Sequence, residues 1–266
     1  ESVCLRASCW LACLLVYYCG ALKVYCQHGH EKVCLSTAFH LAALPATVNT
    51  VDIFDAPMVD GVPDALLSWW GRVDPDEFDR VSEASGRLEV VRHVAELLQG
   101  SERVVELGCG TGLLAKEAGR RDFYGVDMSI AMVQRASEHM EAVVDNILEF
   151  YPPFSPDAVV LCNVVEPYSS EVRLLLYRHI IEFLNPGGQL IVVVTVGKTG
   201  LGTEFESLLD LVFPTAPPLQ ADEAEEELAA AGFEIEFPEL IRIERKDAEK
   251  PQRRSFVVLI GKKPLW

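Results

Sequence analysis

The spacing of the apolar residues between positions 86 and 126 changes from a helical period to a strand period and back again. Apolar residues three or four positions apart predict an amphipathic helix that ends at Gly100, and they are Leu88, Val91, Val94, Ala95 and Leu98. A short apolar run at 103–107 follows, then a glycine-rich loop, and then a helical pattern over 113–119. Because a second apolar run comes at 123–126, this segment predicts strand, loop, helix and strand in succession.

The same alternation continues along the rest of the chain. Ser129 can cap the N-terminus of a helix over 129–140. The further predicted strands are 142–144, 158–162, 189–195, 234–243 and 256–260, and the further helices are 171–184 and 221–233. Strands that alternate with helices indicate a mainly parallel, doubly wound sheet. We therefore predict an α/β fold of the Rossmann-like type, with a seven-stranded sheet, helices on both faces and an antiparallel C-terminal edge strand.

The first fifty residues differ from the rest in composition. They hold six of the eight cysteines and a charge of +1, which leaves −18 for the remainder of a chain whose net charge is −17. Their uncharged, mostly apolar stretch at 7–22 is shorter than the about 20 residues that span a bilayer. Residues 1–50 are therefore predicted to be an anchor-like segment, a disordered segment, or sequence that is not native to the protein. Membrane contact is expected only if 7–22 is a true anchor.

The strong acidity of the chain limits its partners. A net charge of −17 opposes binding to a polyphosphate, so no nucleic-acid partner is expected. No metal is expected either, because Cys26, His28, His30 and Cys34 lack the paired C-x2-C spacing of structural zinc sites. A cytoplasmic location is expected, or a membrane-associated one if the N-terminal segment is genuine. The sequence carries no signal for an oligomeric state.

Residues 104–112, VVELGCGTG, place a glycine loop directly after a predicted strand. A dinucleotide fingerprint needs a third glycine where Leu113 stands, and a P-loop needs a Lys-Ser/Thr pair that the loop lacks. Glu106 contributes a carboxylate, which attracts an ammonium group and repels a pyrophosphate. In a doubly wound sheet this loop lies at the ligand-binding edge. The pattern therefore indicates a ligand that carries a positive group and no phosphate.

This loop resembles motif I of the class I S-adenosylmethionine-dependent methyltransferases, and the resemblance continues in register over residues 101–262. It implies S-adenosylmethionine as the cofactor, with Asp127 on the two ribose hydroxyls and Met128 against the adenine face. It also implies that Asp145 accepts from the adenine amino group, with Asn146 beside it. The cofactor-binding residues expected in this way are Glu106, Gly108, Cys109, Gly110, Gly112, Asp127, Met128, Asp145, Asn146, Asn163 and Phe78.

The acceptor side of the site is expected in the segment NVVEPYSS, which follows the fourth predicted strand. Asn163 could bind the cofactor or the acceptor, and Glu166 and Tyr168 are the candidate catalytic residues, although an ordinary loop would also explain them. Two flanking regions are expected to shape the pocket. Trp69, Trp70 and Phe78 precede the core, and residues 197–220 form either a mobile lid or a packed helix.

The domain organisation and function follow from the resemblance. Residues 51–100 are predicted to be an N-terminal helical cover, and residues 101–266 the S-adenosylmethionine-binding domain. The expected activity is methyl transfer to a small-molecule acceptor by in-line displacement, for which alignment of the reacting groups is the main requirement. Two alternatives stay open at this point: a protein methyltransferase, and a non-catalytic module that binds the cofactor or a partner with the same fold.

Overall fold

A computed structural model describes residues 70–84, 86–196, 219–236, 238–245 and 252–265, together with short strands nearer the N-terminus. The chain divides into two units, residues 1–58 with 63–65, and residues 59–62 with 66–266. The first unit contains an antiparallel sheet of three strands, β1 (Cys13–Tyr18), β2 (Ala21–Cys26) and β3 (Glu31–Val33). Two very short strands, β4 (Met58–Val59) and β5 (Val62–Pro63), pair with each other. The domain boundaries stay predictions.

Within the part of the chain that the structure describes, no helix has both the length and the apolar character needed to cross a bilayer. Of the expected lid at 197–220, residues 197–218 lie outside the described residues, as does Trp69.

The second unit is built on an eight-stranded sheet. Its strands are β6 (Val104–Leu107), β7 (Phe123–Asp127), β8 (Glu141–Val144), β9 (Ala158–Cys162), β10 (Gln189–Val196), β11 (Glu234–Ile235), β12 (Glu239–Arg245) and β13 (Gln252–Lys262). The order is β11-β13-β10-β9-β6-β7-β8, with β12 also paired to β13. The strands from β10 to β8 are parallel, whereas β13 is antiparallel to β10, β11 and β12. The predicted fold class is confirmed.

Six helices of the described residues flank this sheet. They are α1 (Pro75–Ala84), α2 (Arg87–Leu97), α3 (Leu113–Ala118), α4 (Ile130–Ala136), α5 (Ser170–Phe183) and α6 (Ala221–Ala231). Alternate side chains of one strand enter two separate apolar cores, as the pleat of a strand requires. Val159 and Leu161 of β9 pack with α5 and α6, whereas Val160 and Cys162 pack with α2 and α3. Helices therefore cover both faces, as predicted.

Several predicted elements differ in their bounds, and for two of them the structure shows the reason. The strand expected over 234–243 is two strands, β11 and β12, which both pair with β13. Pro238 stands in the break, where it has no N–H to donate to the ladder. The helix expected over 129–140 ends at Ala136, because the backbone then turns more tightly, with the N–H of His139 donating to the carbonyl of Ala136 (2.8 Å). Ser129 caps α4 as predicted, accepting from the N–H of Met132 (3.4 Å).

Candidate active site

The glycine loop lies where the order of the sheet reverses. From β6 the chain moves outward to β7 and β8, and it then returns to place β9 on the other side of β6. Open α/β sheets bind ligands at such a switch point, beyond the carboxyl ends of the strands. The backbone N–H groups of Gly108 and Cys109 both donate to the carbonyl of Val126 (2.7 and 2.9 Å), which ties the loop to the end of β7. The loop thus borders the crevice between β6 and β9.

The three glycines of this loop are required by backbone conformation and by close packing. Gly108, Gly110 and Gly112 have φ of 72°, 53° and 79°, in the left-handed region that favours glycine. A Cβ at Gly108 would lie 2.5 Å from Cγ2 of Val164, in the loop after β9. A Cβ at Gly110 would lie 3.5 Å from Cε1 of Phe78. The bare backbone of the loop is therefore in close contact with both neighbouring segments.

Glu106 places a buried carboxylate at the third position of β6. The residue is 4% exposed, and its Oε2 atom has no hydrogen-bond partner within the described part of the chain. Burial raises the pKa of Glu106 to about 8, an effect that nearby Arg87 opposes and Asp127 reinforces. A buried carboxylate oxygen without a partner costs stability unless a ligand supplies a donor. Glu106 thus fits a ligand with an ammonium group.

Asp127 ends β7 and faces the glycine loop. Its Oδ2 atom accepts from the N–H of Gly110 and its Oδ1 atom from the N–H of Ser129, both at 2.9 Å. Burial raises the pKa of Asp127, and these backbone N–H groups oppose the rise. Each carboxylate oxygen can accept a second hydrogen bond, so the carboxylate retains the capacity to bind a diol. Asp127 therefore fits the ribose role that the resemblance implies.

The other residues expected around the adenine lie next to Asp127. Met128 is 44% exposed, which leaves its side chain available to a ligand. The N–H of Asp145 donates to the carbonyl of Asp127 (3.2 Å), so the ends of β7 and β8 are joined. Asp145 then accepts from the N–H of Asn146 (2.8 Å), and Asn146 from that of Leu148 (3.1 Å). These bonds form a turn, and the adenine roles of its residues stay predictions.

Helix α1 covers the glycine loop. The ring of Phe78 stands edge-on to the ring of Trp70, with 6.0 Å between the ring centroids, and next to Gly110. One residue further along, Asp79 accepts from Oγ1 of Thr111 (2.5 Å) within the loop itself. The hydroxyl of Thr111 is thereby fixed to the cover. Asp79 and Thr111 were not expected from the sequence as a pair, because they are 32 positions apart.

Arg87 is a further residue of this site that the sequence did not indicate. It begins α2, its guanidinium lies 5.0 Å from the centre of the Phe78 ring, and its Nη2 atom donates to the carbonyl of Cys162 (3.1 Å) at the end of β9. A cation at the first position of a helix opposes the helix dipole, and this unfavourable placement is the signal that could have marked it. Arg87 places a positive charge beside Glu106 and Glu166.

The loop that leaves β9 has an unusual backbone held by side-chain bonds. Asn163 has a φ of 57° without being glycine. Its Nδ2 atom donates to Oε1 of Glu166 and to Oγ1 of Thr195, both at 2.9 Å, and the N–H of Thr195 also donates to Oε1 of Glu166 (3.1 Å). The structure thus joins Asn163 and Glu166 to the end of β10. Such a strained residue is held in place by its surroundings, often at a functional site.

Tyr168, the other candidate catalytic residue, lies further along the same loop and packs against the apolar core. Its carbonyl accepts from Nη1 of Arg173 (2.7 Å), and Arg173 forms a buried ion pair with Glu227 of α6 (2.7 and 2.6 Å). Nη2 of Arg173 also bonds Glu223 (2.7 Å). The loop is therefore attached to α6 through its backbone, and the catalytic role of Tyr168 stays a prediction.

The two cysteines of the second unit are packing residues. Cys109 and Cys162 are both free and buried, and burial raises the pKa of each thiol. A thiol that stays protonated is a poor nucleophile. Among the described residues, no group of three or more His, Cys, Asp or Glu side chains could hold a metal ion.

Solved structures with the same fold include methyltransferases. A S-adenosylmethionine-dependent methyltransferase from Thermotoga maritima, named as a possible histamine N-methyltransferase, has a TM-score of 0.55 at 20% identity, over 71% of this chain and 95% of its own. Magnesium protoporphyrin IX methyltransferase from Synechocystis, with S-adenosylmethionine bound, has a TM-score of 0.53 at 16% identity, over 76% of this chain and 98% of its own. The fold is that of the class I S-adenosylmethionine-dependent methyltransferases.

The chain itself belongs to a methyltransferase-domain family, whose match covers residues 70–236. The expected enzyme class is thereby confirmed, and with it S-adenosylmethionine as the cofactor of that class. The match includes helices α1 and α2 and the strands from β6 to β11, whereas β12 and β13 lie beyond its end. A search of curated proteins gives no match.

Proposed function

We propose that this protein transfers a methyl group from S-adenosylmethionine to a small-molecule acceptor bound beyond the end of β9. The observation that carries the proposal is the pair of carboxylates at the ends of β6 and β7, on either side of a glycine loop. Glu106 has a buried oxygen without a partner, and Asp127 retains acceptor capacity on both oxygens. This arrangement suits an ammonium group and a ribose diol, and it would repel a phosphate.

The chemistry requires little from the protein beyond orientation. When bound, S-adenosylmethionine supplies a methyl group on a positively charged sulfur, which leaves as a neutral thioether. The residues of this chain hold and shield the reactants: Glu106 would hold the ammonium group of the cofactor and Asp127 its ribose, and Phe78 closes the glycine loop from above. Alignment and exclusion of water supply the rate enhancement in such a displacement. Glu166 and Tyr168 are the proposed residues on the acceptor side.

Three considerations favour a small acceptor. The net charge of −17 opposes nucleic acid. Helix α1 lies over the glycine loop and restricts the approach to it. The two solved methyltransferases named above are described as acting on small molecules, histamine as a possibility in one case and a porphyrin in the other.

The proposal includes a cytoplasmic location, with which the free buried cysteines Cys109 and Cys162 accord.

Calorimetric titration with S-adenosylmethionine tests the proposal. We expect the wild type to bind, and Asp127→Asn to bind about tenfold to a hundredfold more weakly, the range for a hydrogen bond to a charged group. Asp122→Asn is the matched control. Asp122 precedes the amino end of the strand that Asp127 ends, and it pairs with Arg120 there. It should retain wild-type affinity. A wild-type protein that binds no cofactor would contradict the proposal, and binding without turnover on any acceptor would indicate a non-catalytic module.

A further inference from the structure

Glu166 has one carboxylate oxygen in fixed hydrogen bonds and one without any partner. Oε1 accepts from Asn163 and from the N–H of Thr195. Oε2 is shielded from solvent and has no hydrogen-bond partner within the described segments. Asn163 adopts its φ of 57° in the same arrangement. The fold thus holds a carboxylate oxygen in a definite position at the carboxyl ends of β9 and β10 and supplies no donor to it, at a cost that a bound donor would remove.

The charges around Glu166 restrict the kind of donor. Burial raises the pKa of Glu166, whereas its hydrogen bonds and the charge of Arg87 favour the ionised form, in which Glu166 and Arg87 together carry no net charge. A permanent cation gains little from such a pair, and a carboxylate ligand is repelled by Glu166. A neutral group with a polar hydrogen gains most, because its hydrogen bond goes to a charged acceptor in a place shielded from water. Amines and alcohols are the two classes of neutral nucleophile that meet this requirement.

The chemistry of methyl transfer favours the amine. The lone pair of a neutral amine forms the new C–N bond directly, the electron pair of the broken S–CH3 bond stays on sulfur, and the positive charge passes to nitrogen. A carboxylate beside that nitrogen stabilises the developing positive charge, and the ammonium product loses its N–H proton to water after release. An alcohol must lose a proton as it attacks, and a carboxylate is far too weak a base for an aliphatic hydroxyl group, whose pKa is near the 15.7 of water, about ten units higher. A phenol, with a pKa of about 10, is still more than five units above the carboxylate.

We infer that the acceptor is a neutral primary or secondary amine whose N–H donates to Oε2 of Glu166. The inference rests on the proposed function and narrows it to N-methylation. Glu166 then orients the nitrogen so that its lone pair faces away from the carboxylate and toward the methyl group. Asn163 and Thr195 act as positioning residues, because their bonds to Oε1 leave Oε2 for the acceptor.

Probes of one carbon skeleton test the acceptor class directly. Phenethylamine, 2-phenylethanol and 3-phenylpropanoic acid, each at millimolar concentration, are incubated with the protein and S-adenosylmethionine that carries a labelled methyl group. The same trio is repeated on benzyl and butyl skeletons, so that the fit of one skeleton does not decide the result. We expect label in the amines at least tenfold faster than in the alcohols or acids. Equal rates, preference for an alcohol or acid, or no transfer to any amine would overturn the inference.

The variant Glu166→Gln tests the residue. The amide keeps an oxygen for the Asn163 and Thr195 donors but presents N–H groups where Oε2 stood, so two donors would face each other. We expect binding of the preferred amine to a protein saturated with S-adenosylhomocysteine to weaken by about tenfold or more, with affinity for S-adenosylhomocysteine unchanged. Glu171→Gln, on the exposed first turn of α5, is the matched control. Unchanged amine binding by Glu166→Gln would overturn the inference.

The outcomes separate this inference from the proposed function. Failure of the wild type to bind S-adenosylmethionine or S-adenosylhomocysteine contradicts the function itself. Cofactor binding with methylation of alcohols or acids supports the function and contradicts the amine assignment. The wild-type probe series decides the acceptor class even if Glu166→Gln does not fold.

Discussion

In the absence of cofactor, the difference in unfolding free energy between Glu106→Gln and the wild type should grow in favour of the variant as the pH rises. Burial raises the pKa of Glu106 from 4.5 to about 8 in the folded chain. The folded state therefore retains a proton that the unfolded chain loses above pH 4.5, so the wild type loses stability as the pH rises through the window up to about 8. The full effect corresponds to roughly 5 kcal/mol of unfolding free energy, and glutamine removes it.

Urea denaturation of both proteins at two pH values measures this effect. Between about pH 5.5 and pH 8.5, the unfolding free energy of Glu106→Gln should rise by roughly 3 kcal/mol relative to that of the wild type. The comparison between pH values removes any constant cost of the buried amide. Glu102→Gln, an exposed residue that precedes the same strand, should follow the wild type at both pH values. A constant difference between wild type and Glu106→Gln would refute the assigned burial effect.

The bound cofactor should reverse the order of stability of the two proteins, so that the wild type becomes the more stable one. An ammonium group beside Glu106 stabilises the carboxylate, so the wild type should release a proton when it binds S-adenosylmethionine at pH 7. Calorimetry in buffers of different ionisation enthalpy detects that proton. Glu106→Gln should bind more weakly and should lose the part of the proton release that comes from this carboxyl group.

The remaining predictions concern the loop glycines and the buried ion pair. Gly108→Ala should destabilise the fold by about 1–3 kcal/mol more than Gly119→Ala, because both glycines have positive φ but only the first lacks space for a Cβ; chemical denaturation compares them, and equal losses would contradict the close packing. Arg173→Met should cost about 3–5 kcal/mol because it leaves Glu227 buried without its cation. Arg178→Met, on the exposed side of the same helix, should change stability by less than about 0.5 kcal/mol, and similar values for the two arginine variants would disprove the role of the buried pair.

The fold was predictable because its signals are local. Short apolar runs of strand length alternate with helical patterns, and Ser129 marks the start of α4 as predicted. Helix α2 ends at Leu97, three residues before the predicted stop at Gly100. The break at Pro238 was the main departure. Residues with strand propensity lie on both sides of Pro238, so the sequence pattern does not reveal that one backbone N–H donor is missing there. The break becomes visible only when the pairing with β13 is known.

The site was predictable only in part. Glu106, Asp127 and the glycines are close in sequence to the loop they form, so their spacing alone indicated a common site. Arg87 comes to the site by tertiary packing, since its partner at Cys162 is 75 positions away. The burial of Glu166 depends likewise on the end of β10. Residue types and spacing therefore indicated a candidate cofactor site, whereas the charges around the proposed acceptor site required the structure.

The position of β13 inside the sheet has a consequence for how the chain is made. This strand is the last of the sheet to be synthesised, yet it lies between β10 on one side and β11 and β12 on the other. While the 55 residues between Val196 and Gln252 are added, the outer edge of β10, with its run of buried aliphatic residues at 190–194, has no neighbour to pair with. An unpaired apolar edge is a template for aggregation. Because β11 and β12 pair with no other strand among the described residues, the loss of β13 would detach three strands rather than one.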